Sequence, residues 1–245
     1  MNLTVWENLI KNERENFIQN VSHYINRAIE KNIKLISDTS NFIKKVYDDA
    51  YDEFYLKDEY AFTKNILRKL SDKTEYIEDE DKTHQFIDKY IQNIYKLCLS
   101  NTQSRRSRAG QALHLIIEKI LIYKKIAYQD KSLLTQKDLE VKEIDFIIPS
   151  KEKYIQDKTK VVAISCKTSL RERWEQVVAE KNHIGLEEIL LFTIGKDLKK
   201  KNNKRITERG IIIVTFPEIK KKYPKEGNII TFEEAFDEYI PKFLS

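Results

Sequence analysis

Glycine and proline are scarce, five and four among 245 residues. That scarcity excludes a turn-dense all-β barrel or sandwich and favours long helices with few tight corners. Only two cysteines occur, Cys98 and Cys166, too few for a disulfide framework and without zinc-ligand spacing. No stretch approaches the roughly 18 uninterrupted apolar residues that a membrane span needs. The opening residues MNLTVWENLIKNERENF lack the charged-then-apolar pattern of an export signal. These absences predict a reduced, soluble, cytoplasmic protein. What is present is globular in kind: 41% hydrophobic and 34% charged residues, too rich in Ile, Leu and Phe for disorder.

Charge of either sign is nearly balanced, 44 Lys+Arg against 39 Asp+Glu for a formal net of +5, but it is unevenly spread. Residues 75–81 (EYIEDED) carry five acids and no base. Arg105, Arg106 and Arg108 cluster, residues 196–205 (KDLKKKNNKR) hold six bases against one acid, and Lys220, Lys221 and Lys222 form a third basic knot. Such knots match what a polyanion's phosphates require, although a lysine run also serves as a plain solvated face.

Residues 1–100 read as helices. Leu9, Phe17, Val21, Tyr24 and Ile25 recur at helical spacing, as do Ile29, Ile33, Leu35, Phe42, Ile43 and Val46, and again Phe86, Ile87, Ile91, Ile94, Tyr95 and Leu97. Ser37 to Ser40 and Ser71-Asp72 are the candidate caps or turns. The aromatics from Tyr47 to Phe62 are either a core stripe or a surface on which bases stack. Near residue 101 the character changes. Ser107–Tyr123 is an amphipathic helix with Leu113, Ile116, Ile117, Ile120 and Leu121 on one side. Then come Ile144, Phe146 and Ile147 around Asp145, a polar loop KEKYIQDK, and the β-branched run Val161 to Ile164. A helix follows from Arg171 to Asn182, then buried strands at Ile189–Phe192 and Ile211–Val214, and a last helix over 232–243. Continuous apolar strands imply cover on both faces. The expectation is an α/β fold: a helical region over 1–100, and over 101–245 a mixed sheet flanked by helices.

Three ionisable residues fall where such a sheet gathers them: Asp145 in the first strand, Lys167 just past the second, Glu180 in the next helix. A carboxylate inside an apolar strand is costly unless it is paired or holds a cation. Two neighbouring carboxylates repel, and a divalent ion removes that cost by binding both. Mg²⁺ suits the pair because it takes oxygen ligands and retains waters. A lysine beside them can orient an attacking water and offset charge on a scissile phosphate. The chemistry is that of phosphodiester hydrolysis. The bland alternative has Asp145 opening a turn and Lys167 snorkelling to solvent.

The segment SCKTSLRERWEQVVAE at 165–180 resembles the catalytic and recognition segment of type II restriction endonucleases of the EcoRII/SsoII/PspGI group, in the PD-(D/E)XK nuclease superfamily. SRRSRAG at 104–110 with QALHLIIEKI after it resembles the segment before the catalytic strand. Glu187 through Val214, Pro217 and Lys221 to Pro224 resembles the end of the EcoRII catalytic domain. The likeness covers residues 101–225. It implies a restriction-endonuclease-like core, with residues 1–100 left for dimerisation and DNA clasping.

The resemblance assigns roles position by position. Asp145 falls on the metal-binding aspartate, with Ile144 in place of the preceding proline, and Lys167 on the catalytic lysine. Ser165 stands where most of the superfamily carries the second acid; in this group the following helix supplies it, and Glu180 is at that place, thirteen residues after Lys167. The auxiliary acid of the earlier helix is replaced by His114, with Glu118 one turn later. Arg171-Glu172-Arg173 matches an Arg-(Asp/Glu)-Arg reader of C·G pairs, and the chemistry agrees: Arg donates twice to guanine, and Glu accepts from cytosine N4. Gln103 matches a minor-groove contact to guanine. Arg105, Arg106 and Arg108 are phosphate positioners or helix-packing ion pairs. Trp174 reads as core packing and Cys166 as a buried, inert thiol. The implied activity is Mg²⁺-dependent cleavage of double-stranded DNA at a short palindromic site with CC and GG half-sites, by a homodimer. Tyr51, Phe54 or Tyr55 are the aromatics available to stack a flipped base. A nuclease fold that binds DNA without cutting it, and a structure-selective repair nuclease, are the rival readings.

Overall fold

A computed structural model describes residues 3–18, 21–51, 56–71, 80–130, 144–170, 173–196, 198 and 200–244. It divides into two compact units: Met1–Lys31 with Val46–Ala112, and Asn32–Lys45 with Leu113–Ser245.

The first unit is helical. Helices α1 (Leu3–Ile18), α2 (Val21–Asn32), α3 (Thr39–Asp49), α4 (Leu56–Ser71) and α5 (Glu80–Tyr123) supply it, α2, α3 and α5 only in part. Two helical stretches were expected within 86–123; they are one 44-residue helix, and the expected division at residue 100 falls inside it. The reason is the lack of a breaker. Gly110 lies mid-helix with nothing within 4 Å of a would-be Cβ, and one glycine costs a helix only about 1 kcal/mol. Trp6, Ile10, Phe62, Ile66 and Leu97 form the apolar cluster, and the Trp6 indole donates to the Asn93 carbonyl at 2.8 Å. Polar side chains are buried around it. The Arg14 guanidinium bonds to Asn101 and lies 4.1 Å above the Phe62 ring, and Asn101 donates to Thr63 at 3.0 Å.

The second unit contains a six-stranded sheet in sequence order: β1 (Gln129–Asp130), β2 (Phe146–Ile148), β3 (Val162–Cys166), β4 (Ile189–Phe192), β5 (Ile211–Thr215) and β6 (Ile229–Thr231). β1–β2 and β2–β3 are antiparallel, and β3 through β6 run parallel. The mixed sheet flanked by helices is as expected. On one face Ile147, Ala163, Ile189, Leu191, Ile211 and Ile213 pack with Trp174, Val177, Val178 and Ile184 of helix α7 (Arg173–Ile184). The side chains of opposite parity include Phe192, which meets Phe232 and Phe236 edge-on at centroid distances of 5.8 and 5.4 Å. Both faces are covered, so the central strands are predominantly apolar.

One local reading is corrected, and two other segments gain detail. KEKYIQDK is not a loop: it forms α6 (Lys151–Gln156) and a 3₁₀ turn (Lys158–Lys160). The Ser150 hydroxyl caps Lys153 N–H and the Tyr154 ring is buried, so a cap and one apolar anchor outweigh the polar composition. The basic run near 200 continues into helix α8 (Lys200–Glu208), anchored by fully buried Ile206. The last helix is a composite: an α turn (Phe232–Glu234), a π turn (Ala235–Tyr239) and a 3₁₀ turn (Ile240–Phe243). Thr231 opens it with a capping box to Glu234. At the other end of β5, Gly210 adopts φ +69°, and a Cβ there would meet the Glu187 carbonyl at 2.2 Å; no other residue fits the turn into that strand.

Candidate active site

The ladder between β2 and β3 continues one residue past β2, where Asp145 N–H donates to the Ile164 carbonyl at 3.0 Å. That bond sets Asp145 opposite the C-terminal end of β3. Its Oδ2 accepts from the Cys166 amide at 2.7 Å. Lys167 is held similarly on the other edge, its N–H donating to the Phe192 carbonyl at 2.9 Å. Strand alternation puts Ser165 and Lys167 on one side. Both reach the same carboxylate: Lys167 Nζ donates to Glu180 Oε1 at 2.7 Å and Ser165 Oγ to Oε2 at 2.8 Å. Glu180 extends from α7 and is 4% exposed; Asp145 is 7% exposed. Three successive residues of one strand end therefore bind two carboxylates delivered by a neighbouring strand and a helix. Asp145, Lys167 and Glu180 are brought together.

His114, on α5, joins them. Its Nδ1 lies 3.2 Å from Asp145 Oδ1 and its Nε2 2.8 Å from Asp130 Oδ2. The imidazole stacks on the Phe146 ring at 4.4 Å and 19°. Glu118 does not contact Asp145 through any of these bonds; it accepts from the Tyr128 hydroxyl at 3.0 Å. Burial, with the Glu118 carboxylate next, pushes the Tyr128 phenol up to about 12. Sequence reasoning missed Asp130, which lies in a two-residue strand without hydrophobic patterning, and missed the bond by which Ser165 supports Glu180.

The recognition residues are distributed differently. Arg173 is the first residue of α7 and partly buried; Arg171 and Glu172 lie outside the described residues. Trp174 packs in the core and Cys166 is buried, as read. Gln103, Arg105, Arg106 and Arg108 belong to the helical unit. Gln103 and Arg106 are exposed. Arg105 Nε lies 2.8 and 3.1 Å from the two oxygens of buried Glu59, and Arg108 is buried against Ser104. Tyr51 is exposed, and Phe54 and Tyr55 lie outside the described residues.

Carboxylate oxygens suit a hard divalent cation. Each acid has one oxygen anchored by a protein N–H or O–H and the other facing His114 or Lys167. Among the described residues no three of His, Cys, Asp and Glu converge tightly enough to cage an ion. That donor set fits a cation that keeps most of its own water, as Mg²⁺ does.

Comparison with known proteins agrees with the geometry. The family model described as EcoRII C terminal matches residues 60–236. Type II restriction enzyme SsoII of Shigella sonnei is 32% identical over 207 residues, 81% of this chain and 67% of that protein. Type II restriction enzyme EcoRII of Escherichia coli is 26% identical over 138 residues, 55% of this chain and 33% of that protein. Metal-depleted Ecl18kI, solved with uncleaved DNA, superposes with a TM-score of 0.86 at 26% identity, over 99% of this chain and 85% of that one. PspGI, solved with substrate DNA, shares the fold at a TM-score of 0.68 and 20% identity, over 91% and 92%. The chain belongs to the EcoRII C-terminal family and is homologous to type II restriction endonucleases.

Proposed function

We propose that this chain is a Mg²⁺-dependent type II restriction endonuclease cutting double-stranded DNA at a short palindromic site with CC and GG half-sites. It would act in the cytoplasm as a homodimer. The supporting observation is the convergence of Asp145, Lys167 and Glu180 on residues 165–167. Asp145 and Glu180 are the residues that would hold Mg²⁺, which when bound supplies charge that polarises a phosphate and eases ionisation of an attacking water.

The chain's own groups do the rest. The Cys166 amide and the Ser165 hydroxyl fix the two carboxylates, so little reorganisation accompanies binding. Lys167 offers a cation, 15% exposed, whose ammonium offsets charge developing on phosphate oxygens. Hydrolysis adds water across the P–O3′ bond and leaves 5′-phosphate and 3′-hydroxyl ends.

Arg171, Glu172 and Arg173, at the start of α7, are the base readers, and Gln103 the minor-groove contact. Arg106, exposed in the helical unit, is the best phosphate contact of its cluster. A palindrome read by one such set per chain requires a two-fold dimer, and the helical unit is the element assigned to dimerisation and clasping. The test is digestion of a plasmid of known sequence with and without Mg²⁺, followed by mapping of the ends. Mg²⁺-dependent cuts confined to CC/GG sites are expected. An intact supercoil would leave a DNA binder without catalysis, and cuts indifferent to sequence a structure-selective nuclease; either outcome overturns the proposal.

A further inference from the structure

We propose that the segments following β3, β4 and β5 form a basic shelf beside Lys167. Lys196, Lys221 and Lys222 on that shelf bind phosphates of the duplex to one side of the cut linkage. This row of contacts rests on the nuclease reading above and belongs wholly to the sheet unit.

Topology puts the three segments at one edge. β3, β4 and β5 are parallel and in register, with Cys166 opposite Phe192 and Phe192 opposite Val214. The chain therefore leaves all three strands on the side where Lys167 meets Glu180. Specific contacts then lace the exits together. Gly195 follows β4 so closely against its neighbour that a Cβ there would stand 3.0 Å from Ser169 Cα and 3.2 Å from the Thr168 carbonyl oxygen. Lys196, the next residue, is thus set beside the segment that follows Lys167. Farther along, the Tyr223 hydroxyl donates to the Leu198 carbonyl, with Leu198 buried and Tyr223 packed against the same core. That bond joins the exit from β5 to the exit from β4. A helical turn (Pro217–Lys220) carries Lys221 and Lys222 out from the end of β5.

The charge on the shelf is left for a ligand. Lys220 is taken by Glu234. Acids of the flanking segments are taken too, Glu233 by the Ser40 amide and hydroxyl at 2.6 and 2.8 Å and Glu218 by Lys44 at 3.9 Å. Lys196, Lys221 and Lys222 are exposed, and among the described residues none of them forms an ion pair. A plain solvated face needs no such lacing. Strands lie about 4.8 Å apart, so β5 ends roughly 10 Å from β3. At about 3.4 Å of axis per nucleotide, that span reaches on the order of three phosphates along one DNA strand. Lysine meets phosphate as a point charge and reads no base. The shelf therefore adds affinity and register, not sequence choice.

The salt dependence of binding tests this. The full chain is titrated, without Mg²⁺, against a random duplex and against one carrying CC and GG half-sites. Lys196→Gln, Lys221→Gln and Lys222→Gln should each reduce the steepness of log affinity against log salt by about 0.9, and weaken both duplexes by a similar factor. Lys160→Gln, in the turn before β3 at the opposite end of that strand, should leave the slope unchanged. Acetylation of the unaltered chain needs no variant: bound duplex should protect Lys196, Lys221 and Lys222 but not Lys160, as read by mass spectrometry. Unchanged slopes without protection, in a chain that still binds duplex, overturn the shelf and leave the nuclease reading standing. A chain that binds neither duplex defeats that reading, and the shelf with it.

Discussion

The two units bury charge for opposite reasons. In the helical unit Glu59 is buried, but Arg105 meets both of its oxygens, and Arg14 is bonded to Asn101 and covered by Phe62. Those groups close the gaps in a small apolar cluster of Trp6, Ile10, Phe62, Ile66 and Leu97. The sheet unit has a larger apolar core, built from both sides of its strands. Its buried acids stand at one strand end, each with one oxygen anchored and the other facing an exchangeable partner. Buried charge by itself therefore marks no active site; what separates the cases is whether the pairing closes the group off or leaves one side to be claimed by a ligand.

The largest effect should come from the sheet unit. Lys167→Ala or Asp145→Ala is expected to lower DNA cleavage by about 10²-fold or more, with the far-ultraviolet circular dichroism of the folded chain retained; full activity in either variant removes the assignment. Next is Arg173→Ala, which should reduce discrimination between cognate and random duplex by about 1–3 kcal/mol in equilibrium binding. An unchanged ratio would take Arg173 away from the bases. In the helical unit Arg105→Ala should instead cost stability, about 1–3 kcal/mol in urea unfolding, because it strands the Glu59 carboxylate in a buried position. If stability is intact and the salt dependence of DNA binding becomes shallower, Arg105 belongs to the phosphate contacts and the comparison between units breaks. The smallest effect concerns Tyr128. Its folded value of about 12 exceeds its ordinary 10.0, so the protonated phenol favours the folded state. Its contribution should be complete below pH 10 and disappear as pH rises toward 12. Tyr128→Phe should flatten that decline in urea midpoints measured from pH 9 to 12, and an unchanged slope counts against the Glu118 bond.

Much of the sheet unit was readable along the chain. Val161 to Ile164, Ile189 to Phe192 and Ile211 to Val214 are β-branched and apolar beyond what a surface strand carries, and each became a central strand. The edge strands were not readable. Gln129–Asp130 has two residues and Ile229–Thr231 three, too short for a period to emerge. Asp130 was lost with β1, although it meets His114 directly. The long helix was read as two because the eye stops at charged stretches, whereas a helix stops only where a cap or breaker intervenes. Within the arginine cluster, three similar side chains met three fates: Arg106 exposed, Arg105 on Glu59, Arg108 against Ser104. Composition could not separate them, since the difference lies in which helix face each occupies.

By itself the amino-acid sequence singled out the residues proposed for chemistry, because an acid in an apolar strand and a lysine at a strand end are costly to keep, and their order along the chain resembles one family of enzymes. Tertiary structure decided how they are held. The ladder bond at Ile164 swings Asp145 to the Cys166 amide, Ser165 supports an acid arriving from α7, and Asp130 pins the ring of His114. Such pairings depend on ångström-scale register between segments distant in the chain, and hydrophobic periodicity fixes which face a residue takes but not which residue of another segment it meets.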